Sequence, residues 1–248
     1  MRNTKEWMLN ETDNDSAERR YVTHLPVVVL LDISGSMKGE SIRLLNEAMG
    51  KFRDEVIRVP ETRARMDIAV IAYNSTPELV TNFTDLDSWQ PTTLTAGGCT
   101  DTAEAMQYAM DCIDEYRGRQ SEAGVQVYRP ILVHISDGAS TSSEEDTQRS
   151  LDRVHARMRA TGGTNKLKMW NFSTCDNETC LRQLMAYSPF TVKVQDRCYK
   201  DVFNWLAKSF VIISSSTLVM GANGQLEEEQ QTPPPMPKDM SLVKLFNA

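Results

Sequence analysis

Long apolar runs are missing from this sequence, and none approaches the ~20 residues a helix needs to cross a bilayer. Positive charge is also short: the formal net charge is -7, with no basic stripe interleaved with aromatics. That balance argues against a general nucleic-acid binder, whose phosphate affinity rests on clustered Lys and Arg. Cysteine is sparse and odd in number, with Cys99, Cys112, Cys175, Cys180 and Cys198 irregularly spaced. This disfavours a disulfide framework and favours a reducing compartment. Cys175 and Cys180 could be half a zinc site, but their spacing is wide and no second pair or nearby His follows. The segment from Met1 to Arg20 is polar and lacks the apolar centre of a secretory signal, so a cytoplasmic location is expected. Of three histidines, His134 is expected in the core, and His24 and His155 at the surface.

What is present is a strong alternation of strand and helix signals. Pro26 to Asp32 is a continuous apolar, β-branched run, the pattern of a strand buried on both faces. After Ile33-Ser34-Gly35-Ser36, residues Ile42, Leu45, Met49, Phe52, Val56 and Val59 recur at helical spacing, and Pro60 is expected to end that helix. Strands are expected over 66–73 and 78–83, and the gap between them is too short for a helical crossover, so they should pair antiparallel. Further strands follow over 130–135, 166–172 and 190–194, with helices from Thr102, over 144–160, over 178–187 and over 199–213. The expected architecture is a Rossmann-like, three-layer α/β/α fold: a six-stranded, mostly parallel sheet with one antiparallel edge strand. Residues 1–24 read as a loosely held arm, 25–216 as the domain and 217–248 as a Pro-containing tail. In that tail, Gln230 to Pro235 resembles a linker and Leu242 to Phe246 a weakly docking end.

In such sheets ligands bind outside the carboxyl ends of the strands. Oxygen-bearing side chains collect there: Asp32, Ser34 and Ser36 after the first strand, Thr100 in a Gly-rich loop, and Asp137 after the strand over 130–135. Alternation puts Asp32, Ser34 and Ser36 on one side of the chain. Hydroxyls and carboxylates without imidazole or thiolate make a hard site, which selects Mg²⁺, Mn²⁺ or Ca²⁺ over zinc or copper. Taken singly, these residues also suit plain caps and turns. Thr102 is a second hydroxyl beside Thr100 and an alternative to it.

Three motifs carry a family resemblance. Asp32-Ile33-Ser34-Gly35-Ser36 resembles the Asp-x-Ser-x-Ser motif of von Willebrand factor A domains. Gly97-Gly98-Cys99-Thr100 resembles their Gly-rich loop with its ligand threonine, and His134-Ile135-Ser136-Asp137-Gly138 the strand that ends in their Asp-Gly. Together they resemble the metal-ion-dependent adhesion site. The resemblance implies that Ser34, Ser36 and Thr100 offer hydroxyls to a divalent cation, foremost Mg²⁺, while Asp32 and Asp137 act through water. It also implies a protein partner that offers Asp or Glu to the cation. The closing segment, Phe203-Asn204-Trp205-Leu206-Ala207-Lys208-Ser209 with Ser214-Ser215-Ser216, resembles the bacterial tellurium-resistance, TerY-type branch. That branch implies a stress-response or tellurite-resistance setting beside kinases or phosphatases.

The expected function is therefore a metal-dependent binding module and not an enzyme. A metal-assisted hydrolase or phosphatase is the alternative, and a scaffold with a vestigial metal site the third reading. Against the hydrolase, Ser34 stands where a two-carboxylate phosphoryl-transfer loop needs a second Asp. Neither a Gly-x-x-x-x-Gly-Lys-Ser/Thr loop nor a Gly-x-Ser-x-Gly elbow occurs.

Overall fold

The structure, a computed structural model, describes residues 22–160, 166–215, 218–220, 226–228 and 233–243. In chain order the strands are β1 (Leu25–Asp32), β2 (Met66–Tyr73), β3 (Pro77–Asp85), β4 (Ile131–Ser136), β5 (Lys168–Ser173), β6 (Thr191–Val194), β7 (Leu218–Met220), β8 (Leu226–Glu228) and β9 (Met240–Leu242). The helices are α1 (Glu40–Val56), α2 (Pro60–Arg65), α3 (Thr102–Glu122), α4 (Glu144–Arg159), α5 (Glu178–Tyr187) and α6 (Tyr199–Ser214).

β1 lies inside the sheet with every one of its residues buried, and it pairs in parallel with β2 on one side and β4 on the other. Its side chains alternate between two cores. Leu25, Val27, Val29 and Leu31 meet α1 and α6, whereas Val28 and Leu30 meet Ala105, Met106 and Ala109 of α3. The first core holds a run of aromatic contacts, Phe52 with Trp89, Phe203 and Phe210, and Trp170 with Trp205. The fold is thus the expected Rossmann-like α/β/α sandwich, and β2 and β3 form the expected antiparallel hairpin.

The sheet has seven strands in the order β3-β2-β1-β4-β5-β6-β9, not six. The seventh is β9, which pairs antiparallel with β6, so both edges of the sheet are antiparallel. A three-residue strand beyond a proline run has no periodicity to announce it. It is held by Gln195 N donating to Asp239 O (2.9 Å), Val243 N donating to Thr191 O (2.8 Å) and burial of Met240. The proline stretch before it lies along α6, where Trp205 Nε1 donates to Pro234 O at 3.0 Å. Residues 1–21 of the expected arm lie outside the described residues, as do Leu245 and Phe246. Pro60, expected to end a helix, instead opens α2; α1 stops at Val56, and Val59 falls between the two. Proline suits the first helical turn, where its missing N–H has no intrahelical partner to lose.

Two histidines pin the frame. His24, expected at the surface, is buried, and its Nδ1 meets Asp67 Oδ2 at 2.6 Å. His134 is fully buried in β4, with Nε2 at 2.7 Å from the Tyr73 hydroxyl and Asn171 as its register partner on β5. Burial disfavours the imidazolium and pushes the His134 pKa down to about 4, against the raising effect of Asn171. A depressed pKa means that the unfolded chain binds the proton first. The stability due to neutral His134 is therefore complete above the unfolded value and is lost as pH falls from about 6.5 toward 4. The loss should reach roughly 3 kcal/mol. Urea unfolding between pH 7.5 and 4.5 checks this: His134→Gln should show a flatter pH profile than the parent, and parallel profiles would contradict it.

Candidate metal centre

β1 delivers Asp32 to its carboxyl end, and the chain leaves the sheet there in a single 3₁₀ turn, Gly35–Met37. Asp32 is fully buried, and both oxygens are engaged: Oδ1 accepts from Ser34 N (2.8 Å) and Oδ2 from the Ser136 hydroxyl (2.7 Å). The Ser34 and Ser36 hydroxyls are 3.0 Å apart, and Ser36 donates to Asp137 Oδ1 at 2.8 Å. A chain of oxygens thus runs from the β1 turn to the end of β4. Burial raises the pKa of Asp32 and of Asp137, partly offset by these hydrogen bonds, and the Asp137 charge adds to the rise at Asp32.

Thr100 reaches the same place from a different loop. A Cβ built on Gly138 would lie 3.4 Å from Ser36 Oγ and 3.9 Å from Thr100 Oγ1, so both hydroxyls face one small volume beside the Asp137–Gly138 turn. The Gly-rich loop is drawn in by Gly97 N donating to Ile33 O (2.8 Å), Gly35 N to Gly98 O (3.0 Å) and Asp101 N to Asn74 O (2.7 Å). Glycine is required at two of these positions. A Cβ on Gly35 would come within 3.2 Å of Gly98 O, and Gly98 has φ +80° with Ser75 and Asn74 crowding its Cβ position.

The structure therefore brings Ser34, Ser36, Thr100 and Asp137 to one rim and sets Asp32 behind them. Thr102, the alternative to Thr100, is buried with its side chain facing the Tyr73 hydroxyl. That contact belongs to the packing of α3 on the sheet.

Several residues of the site escaped sequence reasoning. Ser136 faces Asp32 from inside a strand and had no signal apart from its place before Asp137. The run Ser140-Thr141-Ser142 ties the two loops together. Thr141 Oγ1 donates to Thr100 O (3.1 Å), Ser142 Oγ donates to Asp101 Oδ1 (2.6 Å), and Ala103 N donates to Ser142 Oγ (3.0 Å). Asp101 also caps α3 by accepting from Glu104 N. A cluster of hydroxyls directly after Asp137-Gly138 was the available clue.

The donors fit a hard divalent cation. Three hydroxyl oxygens with free lone pairs and two carboxylates converge, and the side carrying Ser36 and Asp137 is the more open one. Elsewhere among the described residues, Cys198, Asp201 and Asp239 place three potential ligand atoms within 4.8 Å of one another. Asp239 is exposed there.

Residues 27–140 match the family model of the von Willebrand factor type A domain. Among solved structures, the chain is similar to a von Willebrand factor type A protein from Catenulispora acidiphila, at 11% identity and TM-score 0.57, over 79% of this chain and 44% of that one. It is similar to the D319A mutant of the PilB minor pilin from Streptococcus sanguinis, at 10% identity and TM-score 0.54, over 76% and 62%. A third is proximal thread matrix protein 1 from the mussel byssus with a zinc-occupied MIDAS motif, at 11% identity and TM-score 0.54, over 80% and 50%. At these identities the likeness shows the fold. The chain spans about half the length of these structures. No curated protein sequence matches it.

Proposed function

We propose, from the premise that this chain carries a von Willebrand factor type A domain, that it is a metal-dependent protein-binding module. Such domains are generally protein-interaction modules, some of them with a metal site. One observation carries the reading: the hydroxyls of Ser34 and Ser36 and the carboxylate of Asp137 form one hydrogen-bonded chain, with Thr100 Oγ1 facing the same volume. Ser34, Ser36 and Thr100 would hold the cation through hydroxyls, with Asp32 and Asp137 acting through water. A cation bound chiefly by neutral oxygens keeps most of its charge and so attracts an anion.

The chain's own residues prepare this arrangement. Asp32, buried and held by Ser34 N and Ser136, orients the turn that carries the two serines. The Ser140–Ser142 run holds the Thr100 loop against the Asp137–Gly138 turn. The oxygen-only donor set supports Mg²⁺, with Mn²⁺ and Ca²⁺ as substitutes. The partner offers an Asp or Glu side chain. Against the hydrolase alternative, His134 is fully buried and bonded to Tyr73, so it does not serve as a general base at the rim. The resemblance of the closing helix, Phe203 to Ser209, to the TerY-type branch supports a cytoplasmic stress-response or tellurite-resistance setting. A kinase or phosphatase of the same system is the partner that setting supports.

Capture from a lysate on the immobilised full chain tests the reading. The specific partner should be retained with Mg²⁺, released by chelator, and lost when one acidic residue on its surface is neutralised. A partner held equally well in chelator contradicts the mechanism.

A further inference from the structure

Cys175 and Cys180 were separate, irregularly spaced thiols in the sequence; in the fold both meet Asn177 at one turn, Cys175 through Sγ at 3.3 Å from its N and Cys180 through N at 3.4 Å from its Oδ1. The local chain explains the meeting. After β5, Cys175 N donates to Ser173 Oγ (3.2 Å) and Asn177 N donates to Cys175 Sγ (3.3 Å), which turns the chain back on itself. Asn177 then caps α5 by accepting from Thr179 N and Cys180 N, so Cys180 stands in the first helical turn facing Cys175. Cys180 is fully buried, while Cys175 is partly exposed. Burial, with the neighbouring Cys175 next and the Asp137 charge among the smaller causes, pushes the Cys180 thiol up to about 12. It stays protonated and donates to Gly138 O at 3.0 Å. The Ser136 hydroxyl lies 3.3 Å from the same carbonyl, but its one proton is held by Asp32 at 2.7 Å. The thiol pair therefore buttresses the turn that carries Asp137.

We propose that Cys175 and Cys180 are a reversible disulfide site, and that closing the disulfide loosens the Asp137–Gly138 turn and weakens cation binding at the rim. Only the second half rests on the metal-binding reading.

The chemistry balances with a peroxide as oxidant. The Cys175 thiolate attacks one peroxide oxygen, which breaks the O–O bond and gives a sulfenic acid and hydroxide. The Cys180 sulfur then forms the S–S bond and expels the sulfenic hydroxyl as water. Two thiols are oxidised by two electrons, the peroxide is reduced to two waters, and both thiol protons end in water. A dithiol reductant reverses the step. The disulfide has no S–H, so Gly138 O loses the donor that Cys180 gives it. Loss of a supporting partner one residue from a ligand should weaken the cation by about tenfold.

The full chain, treated with hydrogen peroxide and then with dithiothreitol, tests both halves. Non-reducing peptide mass mapping should find a Cys175–Cys180 link, two hydrogens lighter than the reduced pair and reversed by dithiothreitol. Hydrogen exchange over 137–143 should speed up in the oxidised chain, a readout that needs no metal. Mn²⁺ titration should show about tenfold weaker binding after oxidation. Cys175→Ser, which keeps the Cys180 donor, should resist peroxide in all three measurements, and Cys180→Ala should match the oxidised chain in exchange. Absence of the link, or a link that leaves exchange over 137–143 unchanged, overturns the proposal. Failure of the reduced chain to bind Mn²⁺, with link and exchange as expected, overturns the metal-binding reading and with it the second half alone.

Discussion

Asp67→Ala should lower the unfolding free energy by roughly 2–5 kcal/mol, the scale for taking a buried acceptor from two polar groups. Asp67 is almost fully buried at the start of β2, where Oδ2 meets His24 Nδ1 at 2.6 Å and accepts from the Tyr116 hydroxyl at 2.5 Å. Those contacts join three elements. His24 precedes β1, Tyr116 belongs to α3, and the ends of these elements far from Asp67 carry Asp32 and the Thr100 loop. An alanine removes the acceptor that both buried groups use, and the loss of those two short hydrogen bonds carries the cost. Total stabilities of ~5–15 kcal/mol make such a loss a large fraction of the whole. Urea unfolding is the check: the midpoint should fall sharply with an unchanged slope. A change below about 1 kcal/mol would show that the contacts are replaceable.

The contrast between this triad and the oxygen-lined rim shows what a sequence can disclose. β1 was legible because a run buried on both faces needs no polar alternation, and the β2–β3 hairpin because chain length alone forbids a crossover. The meeting of Asp32, Ser34, Ser36, Thr100 and Asp137 was legible because their motifs sit at strand ends, where the topology collects them. The pairing of His24 with Asp67 and Tyr116 was not legible. It joins residues 43 and 49 positions from Asp67, and nothing local distinguishes a buried His from an exposed one. β9 was hidden for a similar reason: three residues carry no periodicity, and their place beside β6 depends on the proline stretch packing along α6. Ser136 looked like one more strand residue because its role depends on which strand lies next to it. The approach of Cys175 to Cys180 depends on an Asn cap whose effect on side-chain direction appears only in three dimensions.

The rim itself makes the other large prediction. A ligand that binds only the folded chain stabilises it by mass action, by ~4 kcal/mol at a thousandfold excess over Kd. For a domain of this size that raises the melting temperature by roughly 8–16 °C. Asp32→Ala combined with Ser34→Ala removes one hydroxyl and the carboxylate that orients the turn. Because Asp32 also accepts from Ser136, that variant starts from a lower melting temperature, and the metal-induced rise is the quantity to compare. Thr100→Val keeps the volume of the side chain and removes only the hydroxyl, so it isolates the contribution of the third loop. The deciding measurement is thermal unfolding of the parent, the Asp32/Ser34 double variant and Thr100→Val against increasing Mg²⁺ or Mn²⁺. A rise of the expected size in the parent, flat in the double variant and much reduced in Thr100→Val, is the result that follows from one shared rim. No rise in the parent, or an equal rise in all three, contradicts it.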